Sequence, residues 1–389
     1  MTPSDARSPF REREFTDALR HAAGLAALSP SSHNCQPWAL ARLESRPARR
    51  AAADLLGTPD DDGHVYLALA LDLRRQLTTL PGHFVEMRVS CAAYWRMLTR
   101  ALAAQGWTTV AGRAHEGRDL LPARAPVRSW PQDWSLLWTA ALRRGGGPAE
   151  SLTAFRVAAH ARHTNRGPYE AAPLPAPLLG ELARPRPDAD AGAVEVRHLA
   201  SAAEREAVAG FLARHGGIDY SHPAAWRETH AFIRWSPAAV RAHGDGFPAP
   251  LLFGPLTRAR TVARRIALAP PVMRLLCRFG YDRSLAAGLA ETVRQGPAVV
   301  AMSFPQGPPG VADAFAGGAR IADYWLGAAR AGLALHPVSV LMQHDELRRA
   351  LQAELGISGQ LFFLSRVGRP LTAYPRSPRR ADAAACRTV

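Results

Sequence analysis

The sequence predicts a fold of mixed α and β structure in which a sheet is flanked by helices. Residues 297–367 alternate between short apolar runs of strand length and segments with helical periodicity. Residues 15–43 change from a helical to a strand pattern across a polar loop. The 389 residues, 47% hydrophobic and 21% charged, are enough for one large unit or for two or three domains. Together these features predict the α/β or α+β class.

The N-terminal part is expected to begin with a helix over residues 15–28, where apolar side chains recur at helical spacing. The serine and proline cluster at 29–32 ends this pattern, and a short strand is expected at Trp38–Leu43. A long helical stretch is expected from about residue 63 to 105, with a break at Pro81.

The middle of the chain is expected to be less regular. Residues 118–148 carry prolines and tryptophans and are interpreted as a loop, and a helix is expected at 150–162. Six prolines within 168–187 predict a linker. We therefore expect an N-terminal half at 1–185 and a C-terminal half at 186–389.

The second half carries the clearest pattern. A strand is expected at 194–199 and a helix at 202–214, whereas the arginine-rich stretch 249–288 allows no prediction. Alternation is regular after that stretch. The expected strands or extended segments are 297–304, 333–340 and 360–367, and the expected helices are 317–332 and Asp345–Leu355.

The net charge of the chain has to be considered together with the positions of its basic residues. The formal net charge of +15 raises nucleic acid or an anionic membrane as a partner. All basic residues are arginines, and they are spread along the chain with only short clusters, such as 46–50 and 376–380. We interpret this as the codon bias of a GC-rich, actinobacterial genome. We expect no nucleic-acid or membrane partner, and the remaining attraction is toward anionic small molecules.

The sequence shows no sign of a membrane, secretory or metal-binding class. No apolar run approaches the roughly 20 residues of a spanning helix, and no secretory signal is visible, so a cytoplasmic location is expected. Cys35, Cys91, Cys277 and Cys386 have neither the spacing of a zinc site nor that of a disulfide framework. No metal is expected.

The strongest local signal is the polar loop between the first helix and the first strand. Residues 30–38 read Pro-Ser-Ser-His-Asn-Cys-Gln-Pro-Trp. The hydroxyl and amide groups could contact a planar heterocycle, and Pro37 fixes the backbone ahead of Trp38. On these residues alone, an ordinary polar turn is the alternative.

A second signal is the sequence Arg-His-Thr-Asn-Arg at 162–166, at the end of a predicted helix. Arg162 and Arg166 are four residues apart, so their guanidinium groups could lie on one helical face and bind a phosphate. The alternative is a solvated basic helix end, which the helix dipole favours.

Two further blocks follow in the second half. Residues 226–248 carry two tryptophans and end in a Gly-Asp-Gly-Phe-Pro turn, and core packing is the expected role of these tryptophans. Gly317 is expected to open a helix, and the last predicted strand ends in an Arg-x-Gly pattern at Arg366 and Gly368.

In this order, the four blocks resemble the nitroreductase superfamily, and within it the single-chain, FMN-binding Acg-like branch. Ordinary members of the superfamily are dimers of chains of about half this length, with FMN at the interface. The resemblance implies an α+β, nitroreductase-like fold in which two degenerate halves are fused into a pseudo-dimer. Each half would be a mixed sheet flanked by helices, and the protein a monomer or a homodimer.

The resemblance also implies which residues contact the flavin. The polar loop resembles the segment that lies against the isoalloxazine ring, which implies contacts from Ser31, Ser32, His33, Asn34 and Gln36.

Contacts to the phosphate or the flavin edge are implied for Arg162, Arg166 and Arg366, with Gly368 allowing close backbone approach. The arginine and serine cluster that dimeric members use for the phosphate is not recognisable. Cys35 stands where the family often has threonine or serine, and is either a reactive thiol or, as we expect, a small packing residue.

The implied activity is FMN-dependent oxidoreduction of a small organic substrate by hydride transfer through flavin N5, with NAD(P)H as a donor and secondary metabolism as one setting. No catalytic side chain is implied. His33, His163 and Tyr169 are candidates for a proton donor. Two alternatives stay open: a protein that sequesters FMN without turnover, and a natural-product tailoring dehydrogenase or oxidase that uses oxygen.

Overall fold

The computed structural model describes residues 9–116, 130–146, 150–188 and 192–389. The described helices are α1 (Pro9–Ala26), α2 (Arg46–Leu56), α3 (Pro81–Ala103), α4 (Leu152–Ala161), α5 (Ala176–Ala183), α6 (Ala202–His215), α7 (Ile218–Ser221), α8 (Pro223–His230), α9 (Pro237–His243), α10 (Ala249–Phe253), α11 (Arg258–Leu268), α12 (Pro270–Cys277), α13 (Tyr281–Arg294), α14 (Val311–Arg330) and α15 (Asp345–Leu355). The described strands are β1 (Trp38–Leu43), β2 (His64–Asp72), β3 (Trp107–Ala114), β4 (Trp134–Arg144), β5 (Glu195–Leu199), β6 (Ile233–Arg234), β7 (Phe247–Pro248), β8 (Ala298–Phe304), β9 (Ala334–Pro337), β10 (Gln360–Gly368) and β11 (Cys386–Thr388).

The first sheet has the strand order β11-β1-β2-β4-β3. Its strands from the first half pair antiparallel, with β1 against β2 in a register that sets Leu40 opposite Leu69. The C-terminal strand β11 adds to β1 in parallel, through pairs such as Leu40 with Cys386. The sheet is therefore mixed, as expected, and its edge is completed from the other end of the chain.

The second sheet has the order β5-β8-β10-β9, and all three pairings are antiparallel. A single parallel bridge joins Thr164, just after α4, to Leu335 in β9. The mixed character expected for this sheet rests on that bridge alone. Since each sheet receives a segment from the other half of the chain, the two halves interlock.

Helices α3 and α14 pack against each other in the centre of the molecule. Their crossing is close at Gly318, where an added Cβ would lie 2.5 Å from Ala92 Cβ and 2.5 Å from the Val89 carbonyl oxygen. Because one of these atoms is backbone, only glycine fits without a shift of one helix. This contact joins the cores beneath the two sheets.

Replacing Gly318 by alanine is therefore expected to lower the free energy of unfolding by about 1–3 kcal/mol through overpacking. The matched control is Gly288→Ala in α13, where nothing lies within 4 Å of the added Cβ. That change is expected to stabilise the protein by roughly 0.5–1 kcal/mol. Urea unfolding measures both, and equal midpoints for the two variants would contradict the close approach.

Two expectations for the first half were wrong. Residues 64–72 form strand β2, not the start of a long helix, and residues 134–144 form strand β4 inside the segment expected to be a loop. Both strands lie inside the first sheet, and β2 is buried along nearly its whole length. A strand buried on both faces loses its alternating pattern, so a run of leucine and alanine resembles a helix. Residues 117–129 of the expected loop lie outside the described residues.

Other boundaries differ less from expectation. Strand β1 and helix α15 have the expected bounds, whereas α14 begins at Val311 and not at Gly317. The expected linker contains helix α5, and the stretch without a prediction is largely helical, from α10 to α13. The α+β class is confirmed, and the division at residue 185 stays a prediction. No described helix has the length and hydropathy needed to cross a membrane.

Candidate functional site

A cavity of about 290 Å³ lies where several distant segments of the chain meet. Helices α3 and α14, strand β10 and the polar loop before β1 form part of its wall. The segment after α4, the C-terminal tail, Thr229 of α8 and Phe247 of β7 complete it. Residues from before and after position 185 face each other across it, so both halves of the chain build the cavity.

The polar loop is held in a conformation that costs energy. His33, Asn34 and Gln36 all have left-handed backbone angles, with φ of 50°, 51° and 51°. Such angles in residues other than glycine cost on the order of 1–3 kcal/mol each, and they cluster at functional sites. Contacts from distant segments maintain them. Asn34 Nδ2 donates to the carbonyl oxygens of Gly246 (3.2 Å) and Pro378 (3.1 Å).

Four of the five loop residues expected at a cofactor line the cavity, namely Ser31, Ser32, His33 and Asn34. Gln36 is fully buried behind the loop instead. Its Nε2 donates to the Gly244 carbonyl oxygen at 2.9 Å, and its Oε1 accepts from the Arg380 backbone amide at 3.1 Å. Gln36 therefore fixes the loop to the turn and the tail behind it.

Arg162 and Arg166 both line the cavity, but the expected geometry was wrong. Helix α4 ends at Ala161, and Arg162 already has extended backbone angles of −65° and 120°. The two arginines therefore share no helical face. An extended segment places them in the wall, fixed by the hydrogen bond from Asn165 N to the Leu335 carbonyl oxygen (3.0 Å).

Arg376 and Arg379 of the C-terminal tail also line the cavity, so four arginines line it in total. Arg162, Arg376 and Arg379 lie close enough to repel one another, whereas Arg166 lies near Tyr169 and Tyr374. The hydrogen-bond partners of the arginines are neutral: Arg162 Nη2 donates to the Leu28 carbonyl oxygen at 2.7 Å, and Arg376 Nη1 donates to His160 Nδ1 at 2.9 Å. Arg379 donates to three loop carbonyl oxygens, the nearest at 2.6 Å. Among the described residues, no carboxylate forms a salt bridge with any of the four.

The electrostatics of this wall favour an anion. Burial, together with repulsion from Arg379 and Arg376, lowers the pKa of Arg162 to about 9. Burial likewise lowers the pKa of Arg166 and of Arg379 to about 10. The Arg162 Nε atom is buried without a hydrogen-bond partner in the described structure. Desolvated cations without counter-charges are stabilised by a bound anion.

The other two residues expected at the cofactor lie elsewhere. Arg366 is almost fully buried, donates to His336 Nδ1 at 3.1 Å and to the Gly167 carbonyl oxygen at 3.2 Å, and stacks on Tyr169. At Gly368 an added Cβ would lie 2.8 Å from Tyr169, so the close approach there is to a side chain. Neither residue lines the cavity. Cofactor contact stays a prediction for all nine residues.

Glu86 of α3 is a cavity residue that sequence reasoning missed. Its Oε2 accepts a hydrogen bond from Ser32 Oγ at 2.6 Å, and its Oε1 accepts one from Gln343 Nε2 at 3.2 Å. Burial raises the pKa of Glu86 to about 7, although both hydrogen bonds stabilise the charged form. A lone glutamate in a helix carries no local signal. Arg376 and Arg379 did carry one, since they belong to the visible cluster 376–380.

The candidate proton donors are placed very differently. Burial, with repulsion from His83 and Arg166, lowers the pKa of His33 to about 3, so its ring is neutral at physiological pH. His163 lines the cavity, and its Nε2 is buried without a hydrogen-bond partner in the described part of the chain. The Tyr169 hydroxyl is outside the cavity wall and donates to the Asn165 carbonyl oxygen at 2.7 Å.

Cys35 and Trp226 have structural surroundings. Burial raises the pKa of the Cys35 thiol to about 12, which keeps it protonated and favours the packing interpretation. Trp226 lies in a small core with Leu268 and Met273, and its Nε1 donates to the Leu268 carbonyl oxygen at 2.9 Å. The expected packing role of Trp226 is thus confirmed.

Comparisons with known proteins agree with this arrangement. No protein-family model matches the chain. The probable NAD(P)H nitroreductase PigM of Serratia sp. strain ATCC 39006 is 29% identical over 374 residues, which cover 94% of this chain and 92% of PigM. A putative nitroreductase from Anabaena variabilis ATCC 29413 aligns over 95% of this chain and 90% of its own, with a TM-score of 0.53 and 9% identity.

The chain has a nitroreductase-like fold and is similar over nearly its whole length to a probable nitroreductase. The full-length sequence similarity and the shared fold agree with the superfamily that the sequence resembles. The fold is nitroreductase-like and α+β, with two halves fused in one chain. The Acg-like branch stays a prediction. In this nitroreductase-like chain, the candidate site lies where the two halves meet.

Proposed function

We propose that this chain binds FMN in the cavity and acts as an FMN-dependent oxidoreductase on a small organic substrate, with NAD(P)H as electron donor. The observation that carries the proposal is a single cavity lined by four arginines, none of them ion-paired with a described residue. Guanidinium groups bind phosphate oxygens through forked hydrogen bonds. Support for the electron donor comes from PigM, which is named a probable NAD(P)H nitroreductase.

The chemistry of the residues present fits FMN. The cavity volume of about 290 Å³ is close to the lower end of the roughly 300–1,000 Å³ typical of small-molecule sites. Two buried polar atoms without partners among the described residues, Arg162 Nε and His163 Nε2, belong to residues of its wall. Phe247, Trp325 and Phe362 supply aromatic surface for a flat ring.

When bound, FMN supplies hydride chemistry at N5. In this proposal the arginines bind its phosphate, and the loop residues Ser31 to Asn34 orient its ring. Thr229 and Phe247 belong to the cavity wall beside this loop. Thr229 Oγ1 lies 3.1 Å from His33 Nε2, and the Phe247 ring lies 5.4 Å from the His33 ring, so both are connected to the loop.

We assign Glu86 as the group that gives or accepts a proton at this site. In its protonated form, Oε2 can donate to Ser32 Oγ, which can in turn donate to His33 Nδ1, 3.1 Å away. The neutral His33 ring then carries its proton on Nε2, from which it donates a hydrogen bond to Thr229 Oγ1. A carboxyl group that titrates near neutral pH can give or accept a proton during turnover.

The protonation of Glu86 is expected to make stability pH-dependent. Its folded-state pKa of about 7 lies above the ordinary value of 4.5, so its contribution to stability is complete below pH 4.5 and is lost as the pH rises through 7. We expect Glu86→Gln, which resembles the protonated form, to stabilise the FMN-free protein at pH 8 relative to the native chain, and to have little effect at pH 5.

Urea unfolding of both proteins across this pH range measures the difference. The titratable groups around Glu86 include His33, Cys35, His83, Asp219 and His344, and both proteins contain them, so to a first approximation their contributions cancel. A constant difference between the two proteins at all pH values would contradict the assignment.

An FMN-sequestering protein without turnover is the second candidate function, and the contacts of Thr229 and Phe247 with His33 in the cavity wall are the observation that favours it. The purified protein should have a yellow flavin spectrum or take up added FMN. Anaerobic NAD(P)H should then bleach the bound flavin if the protein is an enzyme, and should leave it oxidised if the protein only stores FMN. A chain without flavin and without FMN uptake would overturn both candidates.

If bleaching occurs, the electron acceptor separates the remaining possibilities. Reoxidation by an added electron-poor substrate indicates a reductase. Flavin reduction by an organic substrate, followed by reoxidation by oxygen, indicates a dehydrogenase or oxidase of the tailoring type, with a setting in secondary metabolism.

A further inference from the structure

Helices α11 and α12 form a strongly basic part of the surface, and none of their residues lines the cavity. Residues 249–281 contain no aspartate or glutamate. The same stretch contains six arginines, all exposed: Arg258, Arg260, Arg264, Arg265, Arg274 and Arg278. None of them forms a salt bridge with a described residue, and Arg264 donates only to the Tyr281 hydroxyl at 3.1 Å. The local charge is thus uncompensated.

Large apolar side chains are exposed among these arginines. Val262 and Ile266, one helical turn apart on α11, are each 57% exposed. Leu275 in α12 is 52% exposed, and Phe279, in the turn after that helix, is 82% exposed. Isolated exposed apolar residues are common, but two pairs at a spacing of four residues, one on α11 and one on α12 and the turn that follows it, form an apolar surface.

The exposed apolar side chains of α11 and α12 lie on the helix faces that point away from the protein. Leu268 of α11 and Met273 of α12 are buried in the small core that also contains Trp226. Because each helix has one face in this core, Val262, Ile266 and Leu275 lie on the opposite, solvent-facing sides.

We propose that this basic apolar surface, formed by α11, α12 and Phe279, docks the protein onto an anionic phospholipid bilayer. The arginines match the negative headgroups, and the apolar side chains can enter the boundary between headgroups and acyl chains. The proposal is independent of FMN binding.

Other occupants match the surface less well. A second copy docked on the same face would place six arginines against six more, and like charges repel. Duplex DNA would match the charge but would leave Phe279 and the other apolar side chains without a partner. The expectation of no membrane partner rested on arginines spread along the chain and on the absence of a spanning helix. On α11, α12 and the turn after them, six arginines lie within 21 residues, and helices that lie on a membrane need no spanning segment.

The test is sedimentation of the full-length protein with vesicles of phosphatidylcholine alone, or of phosphatidylcholine with phosphatidylglycerol. We expect binding only to the anionic vesicles, reversed by high salt. The double change Leu275→Ser with Phe279→Ser, and separately the triple change of Arg264, Arg265 and Arg274 to glutamine, should each weaken binding about tenfold or more.

The matched controls change the same residue types outside this surface. Leu371→Ser alters a leucine that is 61% exposed, and the triple change of Arg13, Arg50 and Arg156 to glutamine removes the same charge from exposed positions. Both should bind like the native protein. Absence of binding to anionic vesicles, or equal losses in the surface variants and the controls, would overturn the proposal. So would a dimer in sedimentation velocity that only the surface variants abolish.

Discussion

Replacing Arg166 by glutamine is expected to weaken FMN binding about 30-fold, which corresponds to the roughly 2 kcal/mol of a hydrogen bond to a charged group. Arg166 has no hydrogen-bond or ion-pair partner among the described residues, and its guanidinium carbon lies 5.2 Å from the centre of the Phe247 ring. Removing it should therefore disturb the fold little. The measurement is a fluorescence titration with FMN and, in parallel, with riboflavin.

Riboflavin separates a phosphate contact from a ring contact, since it has the same ring and no phosphate. If Arg166 binds the phosphate, the variant should lose FMN affinity and keep its riboflavin affinity. The matched control is Arg156→Gln on α4, an exposed arginine outside the cavity wall, which should bind both flavins like the native protein. Equal losses of FMN and riboflavin affinity would place Arg166 at the ring and contradict the phosphate assignment.

The largest effect on stability is expected from Asp323→Asn. Asp323 of α14 is buried, and its carboxylate accepts hydrogen bonds from Arg96 Nη2 (2.8 Å) and Arg100 Nη1 (2.7 Å) of α3. Asp323 and Asp188 together raise the pKa of Arg96 above its ordinary value. Breaking a buried ion pair from one side leaves a buried charge unpaired, at a cost of about 3–5 kcal/mol. Arg96 and Arg100 keep Asp188 and Glu150 as partners, so we expect the lower end of this range.

Urea unfolding measures this cost, and an exposed ion pair provides the control. Glu206 and Arg294 form an exposed pair at 2.8 Å, and Glu206→Gln should leave the unfolding midpoint almost unchanged. If Asp323→Asn also left the midpoint unchanged, the ion pairs between α3 and α14 would not contribute to the packing of the two halves.

The candidate site shows which functional residues local sequence patterns can identify and which they cannot. The loop at 30–34 could be identified because a dense polar sequence between a helix and a strand is visible without the structure, and it does line the cavity. Arg162 and Arg166 were identified for the wrong geometric reason, since no helix continues beyond Ala161. Arg366 was singled out by the same kind of reasoning, yet it faces His336 and Tyr169. Residue type and spacing do not give the direction of a side chain.

The sequence by itself determined the α+β class, the superfamily resemblance and the elements whose periodicity is clean. Strand β1 and helix α15 are examples, because one buried face against one polar face, or a short apolar run between turns, is a local property. The polar loop was equally visible.

Only the tertiary structure decided which residues share the cavity. Glu86, Thr229 and Arg379 are separated by more than a hundred residues of sequence, and they meet because α3, α8 and the tail converge on one loop. The structure likewise decided that β2 and β4 are strands. Burial on both faces removes from β2 the alternation that marks a strand, and β4 is established by its pairing with β2 and β3. Contacts of this range depend on the whole packing of the chain, and no local window of the sequence contains them.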